Sequence, residues 1–449
     1  MGYCIILVSL ILIFYFVYVK FSNDILSPSM IYIISMFFCT ICSVMGLFSW
    51  NNVRDLKPLS IIIILFSVIS FILGELCVRK LTNENNKRLR YKKVGNIEWW
   101  KIIFQILFIL ITLILLYKEV KRIAIIAGYK DGGLGTMIGY FRSLSNLYTT
   151  ELIENKTGVN VIVSQMRKIC EVMCFVNIYF IIKNLFDKNI KNTRNLGYLL
   201  IILLSFFLSI LTGGRMQCLI YVVAGLFILL MLLLSKYDVK TLVKNYYKQF
   251  IIFVVVVIVG FYSLLPLSGR KNNVNIVSYI SFYFGTSIPS LDIYLDNPKS
   301  SEYFGEETLR GVQTILYKFG LSDKIQPISK EWLEFKINEE QSMYSNIFTS
   351  GKRYYHDFGL VGVIVCQFIF GFVFSLIYLK LKNSSDVILL IFYSMYVYMV
   401  IDQVRDDLFY SNFIHLNSLL YFLILYVGYN ILINFNILEV RRRCEQLIR

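Results

Sequence analysis

Two short Gly-Arg sequences have the residue types and spacing that most readily suggest chemistry. Gly213-Gly214-Arg215 follows one apolar segment, and Ser268-Gly269-Arg270 follows the next apolar segment but one. A guanidinium group stays charged and offers a planar set of donors that matches phosphate oxygens. Glycines permit tight turns and let the backbone approach a ligand closely. The pattern predicts that both arginines, with the glycines before them, bind one anionic group.

Further polar residues are predicted to lie on the same face of the protein. They are Arg142, Arg353, His356, Asp357 and Arg405. The arginines are predicted to bind substrate, and His356 is a candidate general base because imidazole titrates near neutrality. Adjacent residues on a helix do not face each other, so an Asp357–His356 pair is not assured. The base therefore stays open between His356 and the external carboxylates Asp292, Glu306 and Asp357.

The composition predicts a membrane protein. Of the 449 residues, 57% are hydrophobic and 16% are charged, whereas a soluble domain carries roughly a quarter charged residues. Apolar runs approach the roughly 20 residues that span a hydrocarbon layer. The net charge of +16 does not indicate nucleic acid, because the basic residues cluster in short loops, as the positive-inside rule expects. No nucleic-acid partner is expected.

The hydropathy pattern predicts an all-α, polytopic fold, with residues 1–449 forming a single membrane domain. About eleven spans (ten to twelve) are expected, near 3–19, 29–49, 58–77, 100–117, 159–182, 196–212, 216–235, 250–267, 358–379, 386–401 and 412–434. Four basic segments fall on one side, assigned to the cytoplasm: 78–98, 183–195, 236–249 and the C-terminal tail. The C-terminus is then cytoplasmic and the N-terminus external.

Two long segments are predicted on the external side, 118–158 and the larger 268–357. Within the second, residues 279–285 are apolar but too short to span, so they are expected to lie in the interface or to re-enter the bundle. Residues 306–320 have the pattern of a short amphipathic helix. These segments are expected to cover the predicted arginines.

Three short motifs resemble the bacterial oligosaccharide repeat-unit polymerases, the Wzy proteins of O-antigen and capsule assembly. The motifs are Leu211-Thr-Gly-Gly-Arg215, Leu267-Ser-Gly-Arg270 and Tyr355-His-Asp-Phe-Gly-Leu-Val-Gly362. The resemblance includes the number of spans and the large late external loop, and implies a GT-C-like bundle in the bacterial inner membrane. In some members, two external loops each contain an arginine and a glycine that are separated by ten intervening residues. Neither Arg215 nor Arg270 has that spacing.

The resemblance implies transfer of a growing glycan from undecaprenyl pyrophosphate to a lipid-linked repeat unit, with inversion and without a metal or cofactor. The implied partners are the lipid-linked oligosaccharide, membrane lipid and a chain-length regulator. Two alternatives stay open, an O-antigen ligase and a non-enzymatic flippase or transporter. Transporters often bind substrate near the membrane midplane. In this chain the polar groups are predicted to lie at one face under a long loop. This arrangement favours a reaction at the membrane surface over transport.

Overall fold

The computed structural model of this chain describes residues 1–48, 50, 54–82, 94–146, 158–189, 191–269, 275–321, 332–338 and 341–433. Arg270 and the basic C-terminal tail, both named above, lie outside the described residues. Most of the described chain is helical, and its strands form one short hairpin.

In the described residues, sixteen α-helices and two strands follow one another along the chain. They are α1 (Gly2–Lys20), α2 (Pro28–Leu47), α3 (Pro58–Leu81), α4 (Trp99–Ile126), α5 (Leu134–Asn146), α6 (Val161–Phe186), α7 (Arg194–Leu211), α8 (Arg215–Lys236), α9 (Val239–Ser263), α10 (Ile276–Gly285), α11 (Ser287–Tyr294), α12 (Arg310–Lys318), β1 (Leu333–Asn338), β2 (Gln341–Ser345), α13 (Ser350–Asn383), α14 (Val387–Tyr396), α15 (Tyr398–Asp402) and α16 (Leu416–Ile433). The amphipathic α12 lies inside the predicted 306–320 segment. The antiparallel β1–β2 hairpin was not predicted.

Ten helices of the described chain are long and apolar enough to cross a membrane. A shorter apolar segment, Val387–Asp402, occupies the position of the predicted span 386–401. Together these helices match the positions of the eleven predicted spans, so the prediction of an all-α, polytopic membrane protein is confirmed. Below, "outer" denotes the end of the bundle that carries Gly213 and Gly269, and "inner" denotes the opposite end.

Helices α3 and α13 are in direct backbone contact. A Cβ atom on Gly371 would overlap the carbonyl oxygen of Phe71, and one on Gly74 would overlap that of Phe368. Small residues let helix backbones approach closely in membranes, where van der Waals packing drives association. The α3–α13 pair therefore forms a tightly packed centre for the bundle.

Replacing Gly371 by alanine is expected to lower the thermal midpoint in detergent, because the new methyl group must push α3 and α13 apart. Such overpacking costs about 1–3 kcal/mol. The matched control is Gly428→Ala in α16, where an added Cβ meets no atom within 4 Å. An equal midpoint for the two variants would show that the α3–α13 contact can relax without cost.

The apolar stretch near residue 280 forms a helix pair that enters the bundle and turns back. A Cβ on Gly285 would overlap the α2 backbone at Cys42 and Ser43, and the Ser287 Oγ lies 3.3 Å from the Cys39 Sγ, near the middle of α2. Helix α11 then returns to the outer end, where Asp292 accepts a hydrogen bond from the backbone N–H of residue 57 at 2.8 Å. Asp292 thus caps the start of α3.

Helix α13 contains a reversal at Gly359. This residue has φ +62° and ψ −157°, a conformation open essentially to glycine alone. The Ser350 hydroxyl consequently lies 2.8 Å from the Gln367 side-chain nitrogen, although 17 residues separate them. Residues 350–358 therefore fold back along the outer part of the long membrane helix.

Candidate functional site

The turn before α8 brings Arg142 to the start of that helix. Gly213 has φ +69°, in the left-handed region that L side chains disfavour. A Cβ there would overlap the Arg142 side chain, so this arginine of α5 crosses directly over the glycine. Gly214 follows as the N-cap residue, and Arg215 is the first residue of α8. The turn thus needs glycine both for its conformation and for space.

The second predicted turn lies against the same helix α5. A short 3-10 turn, Pro266–Ser268, ends at Gly269, which has φ +68°. A Cβ on Gly269 would overlap the backbone of Gly139 in α5. Arg142 also donates a hydrogen bond to the Ser268 carbonyl at 3.0 Å. Helix α5 therefore lies between the two Gly-Arg turns, and Arg142 contacts both of them.

Arg215 is buried among aromatic side chains of α9 and α10. It is 3% exposed, and it donates hydrogen bonds to the Tyr279 hydroxyl at 2.8 Å and the Phe261 carbonyl at 3.3 Å. Its guanidinium carbon lies 4.6 Å from the centroid of the Phe261 ring, within cation–π range. The side chain is thus fixed at the N-terminus of α8, the end at which the helix dipole favours anions.

Arg405 reaches the same helix start from the loop between α15 and α16. Its Nη1 lies 3.7 Å from the Met216 Sδ, and its guanidinium carbon is 4.3 Å from the Tyr283 ring centroid. Tyr283 stacks in turn on Tyr279, the partner of Arg215. The Arg405 Nε is buried without a hydrogen-bond partner. This loop therefore adds a third guanidinium to the first turn of α8.

Arg142, Arg215 and Arg405 are called the arginine cluster below. The carboxylate of Asp402 lies beside it, with Oδ1 3.3 Å from the Arg405 Nη1. Asp402 is 8% exposed and ends α15. The outer end therefore combines three cations, a helix N-terminus and a neighbouring carboxylate within one small region.

Arg353 is paired with the loop that carries Arg405. Its Nε and Nη2 donate to the two carboxylate oxygens of Asp406 at 2.7 and 2.8 Å, a bidentate arrangement. The neighbouring Tyr354 hydroxyl donates to Asp407 at 2.7 Å. Asp407 also accepts hydrogen bonds from the backbone N–H groups of residues 409–411. These two carboxylates hold the 402–407 loop against α13.

His356 and Asp357 are bonded to different partners. The His356 Nδ1 lies 2.9 Å from the Tyr294 hydroxyl, and its Nε2 lies 3.5 Å from a Glu306 carboxylate oxygen. Asp357 accepts hydrogen bonds from the backbone N–H groups of residues 307–308. Asp357 thus positions the chain before α12, and the carboxylate beside the imidazole is that of Glu306.

A pH effect on stability is expected from Asp407. Burial raises the pKa of this carboxyl to about 6, so the folded chain holds the proton more tightly than the unfolded chain. The resulting stabilisation is present below about pH 4 and is lost as the pH rises to about 6, a change of about 3 kcal/mol. Asp407→Asn cannot titrate. The thermal midpoints at pH 4.5 and pH 7 should therefore differ less in Asp407→Asn than in the wild type. Equal differences in the two proteins would show that Asp407 is not the source of the pH effect.

The predicted site residues fall into two groups. Those around the first turn of α8 are Arg142, Gly214, Arg215, Gly269 and Arg405. Those in the fold-back part of α13 are Arg353, His356 and Asp357, which the 402–407 loop links to the first group. Arg270 lies outside the described residues. Tyr279, Tyr283 and Asp402 were not assigned to the site; the two tyrosines are four apart in an apolar stretch, a spacing that places them on one helix face.

Comparison with known proteins gives no assignment. No family model matches the chain, and neither the curated proteins nor the solved structures contain a significant match. A function must therefore be argued from the residues of this chain.

Proposed function

We propose that this protein is a membrane-embedded glycan polymerase. It transfers a growing oligosaccharide from undecaprenyl pyrophosphate to a lipid-linked repeat unit at the outer, periplasmic face of the bacterial inner membrane. The observation that carries the proposal is the arginine cluster, because α5, α8 and the 402–407 loop each contribute one guanidinium to the same helix N-terminus. An anionic, lipid-borne group matches both the charge and the location of such a site.

The arginines would act on the leaving group. When the bond between the anomeric carbon and the pyrophosphate oxygen breaks, negative charge grows on the pyrophosphate. Fixed donors aimed at developing charge stabilise a transition state more than a ground state. Arg215 is suited to this role because Tyr279 and Phe261 already hold it in position. Guanidinium groups supply this stabilisation without requiring a metal ion.

The acceptor hydroxyl needs a base, and the described contacts favour Asp402. The carboxylates of Asp357, Asp406 and Asp407 each accept two or more hydrogen bonds that hold the chain. Asp402 lies beside the arginine cluster and contacts Arg405 at 3.3 Å. In the proposed step the acceptor oxygen bonds to the anomeric carbon and its proton passes to Asp402. The electron pair of the broken bond leaves with pyrophosphate, and the anomeric carbon is inverted.

Reconstitution with a defined lipid-linked repeat unit tests this function. A polymerase forms products with two or more repeats and releases undecaprenyl pyrophosphate. An O-antigen ligase uses the same donor but forms product only when a lipid-A-core acceptor is added. A flippase moves the intact lipid-linked unit across the vesicle without chain growth. Movement without growth, or growth only with the core acceptor, would overturn the polymerase proposal.

A further inference from the structure

A cavity of about 550 Å³ opens at the inner end of the bundle. The α1–α2 connection, the start of α9 and the end of α13 enclose it, and the 22 residues of α8 separate it from the arginine cluster. Its lining combines polar residues with apolar ones; the polar residues include Asn23, Lys240, Thr241 and Lys382, and the apolar ones include Ile25 and Leu234. The cavity thus offers both kinds of contact at one end of the membrane spans.

Two acidic residues line the cavity, Asp24 and the exposed Asp238, which is the N-cap residue of α9. The charge of Asp24 is balanced within the protein. Asp24 accepts hydrogen bonds from Lys382 at 2.8 Å, Arg79 at 3.0 Å and the Tyr378 hydroxyl at 2.7 Å. An ammonium group has three donors, and the bond to Asp24 uses one of those on Lys382. The exposed Lys240 stands on the facing wall, in the first turn of α9. The cavity lining therefore presents two ammonium groups, of Lys240 and Lys382, and one exposed carboxylate, that of Asp238.

We propose that this cavity binds the phosphate head group of an anionic phospholipid. Lys240 and Lys382 would contact the phosphate, Asn23 and Thr241 would donate further hydrogen bonds, and the acyl chains would begin along the half-buried Ile25 and Leu234. Basic pockets between membrane helices at the cytoplasmic side suit such head groups. The half-buried apolar residues of the lining favour a lipid over a free phosphate ester, since a soluble ligand would leave them uncovered.

An occupied cavity would also fix the position of α9. Among the described side chains of this helix only Leu242 and Phe261 are buried. Leu242 follows directly after the cavity wall, and Phe261 holds Arg215 at the outer end. Both anchors of α9 thus lie near its ends, one beside each site. Lipid bound at the inner end would steady the helix that positions Arg215.

The test compares lipid binding to the full-length protein and to two variants with the same charge change. Lys240→Ala removes a wall residue, whereas Lys248→Ala removes a lysine two turns further along α9. Native mass spectrometry would titrate phosphatidylglycerol, with phosphatidylcholine as the reference lipid. We expect Lys240→Ala to bind phosphatidylglycerol about fivefold more weakly, as for one lysine near a membrane surface, and Lys248→Ala to stay within about twofold. Hydrogen exchange along α9 should slow with phosphatidylglycerol, except in Lys240→Ala.

Equal weakening in the two variants would show diffuse surface attraction and overturn the site. The same holds if the protein does not prefer phosphatidylglycerol to phosphatidylcholine. Glycerol 3-phosphate and inorganic phosphate serve as soluble probes. If either displaces the lipid at millimolar concentration, the site takes a soluble phosphate and the lipid assignment is wrong.

Discussion

Arg215→Ala is expected to abolish long-chain polymer in a cell that lacks its own polymerase. The loss of one fixed donor to a developing anion lowers kcat by about 10²–10³-fold. Arg215→Lys keeps the charge but loses the planar fork and its contacts with Tyr279 and Phe261. The activity of Arg215→Lys should therefore fall between that of the wild type and that of Arg215→Ala. Polymer length on gels and turnover of a lipid-linked repeat unit would measure both effects.

Arg122→Ala is the matched control for this experiment. Arg122 also lies at the outer end, where it pairs with Glu119 at 2.9 Å, outside the arginine cluster. Arg122→Ala changes the net charge by the same amount as Arg215→Ala, but it should leave polymer length unchanged. Because Arg215 is buried, each variant must also be shown to be folded by its thermal midpoint. Normal long-chain polymer from folded Arg215→Ala would remove this residue from the mechanism.

Asp402→Asn is expected to slow the chemical step by about 10²–10⁴-fold, the usual contribution of a general base. Binding of the lipid-linked donor should change little, because the asparagine leaves the arginine cluster in place. The wild-type rate should rise with pH as the base loses its proton, and this rise should disappear in the variant. Single-turnover rates across pH, together with donor binding, would separate the chemical step from binding.

Asp406→Asn provides the comparison within the same loop. Asp406 is bonded to Arg353 through both oxygens, so its replacement should lower the thermal midpoint. The turnover of the protein that remains folded should keep its pH profile. If instead Asp402→Asn keeps the wild-type profile, His356 with its neighbour Glu306 becomes the stronger candidate for the base.

The membrane spans could be predicted because their signal is local. A run of apolar residues predicts a spanning helix whatever its neighbours are, and the predicted positions agree with the long helices and with Val387–Asp402. The reversal at Gly359 could not be predicted in this way. Hydropathy records that residues 358–379 are apolar but does not record the direction of the chain before them. The backbone conformation of a single glycine determines that direction.

The sequence also could not predict ion pairs between charged residues that are far apart along the chain. Arg353 and Asp406 are 53 residues apart, and Arg54 and Asp292 are 238 apart. Such pairs depend on which helices become neighbours, and no local pattern specifies this. The order of the spans predicts that Gly213 and Gly269 lie at the same end of the bundle, as the described residues show. The helix between them, α5, was not predicted, although Gly135 and Gly139 give it the narrow face that fits there.

The bonds of the 402–407 loop have a consequence for biosynthesis. Arg353 and Tyr354 are translated more than 50 residues before their partners Asp406 and Asp407. During insertion, the first part of α13 therefore reaches the outer end before Asp406 is available to pair with the half-buried Arg353. Arg405 reaches the start of α8 only at the same late stage. A chain that ends before α15 would thus carry most of the bundle without a complete arginine cluster, so the proposed polymerase activity would begin only once the last helices are in place.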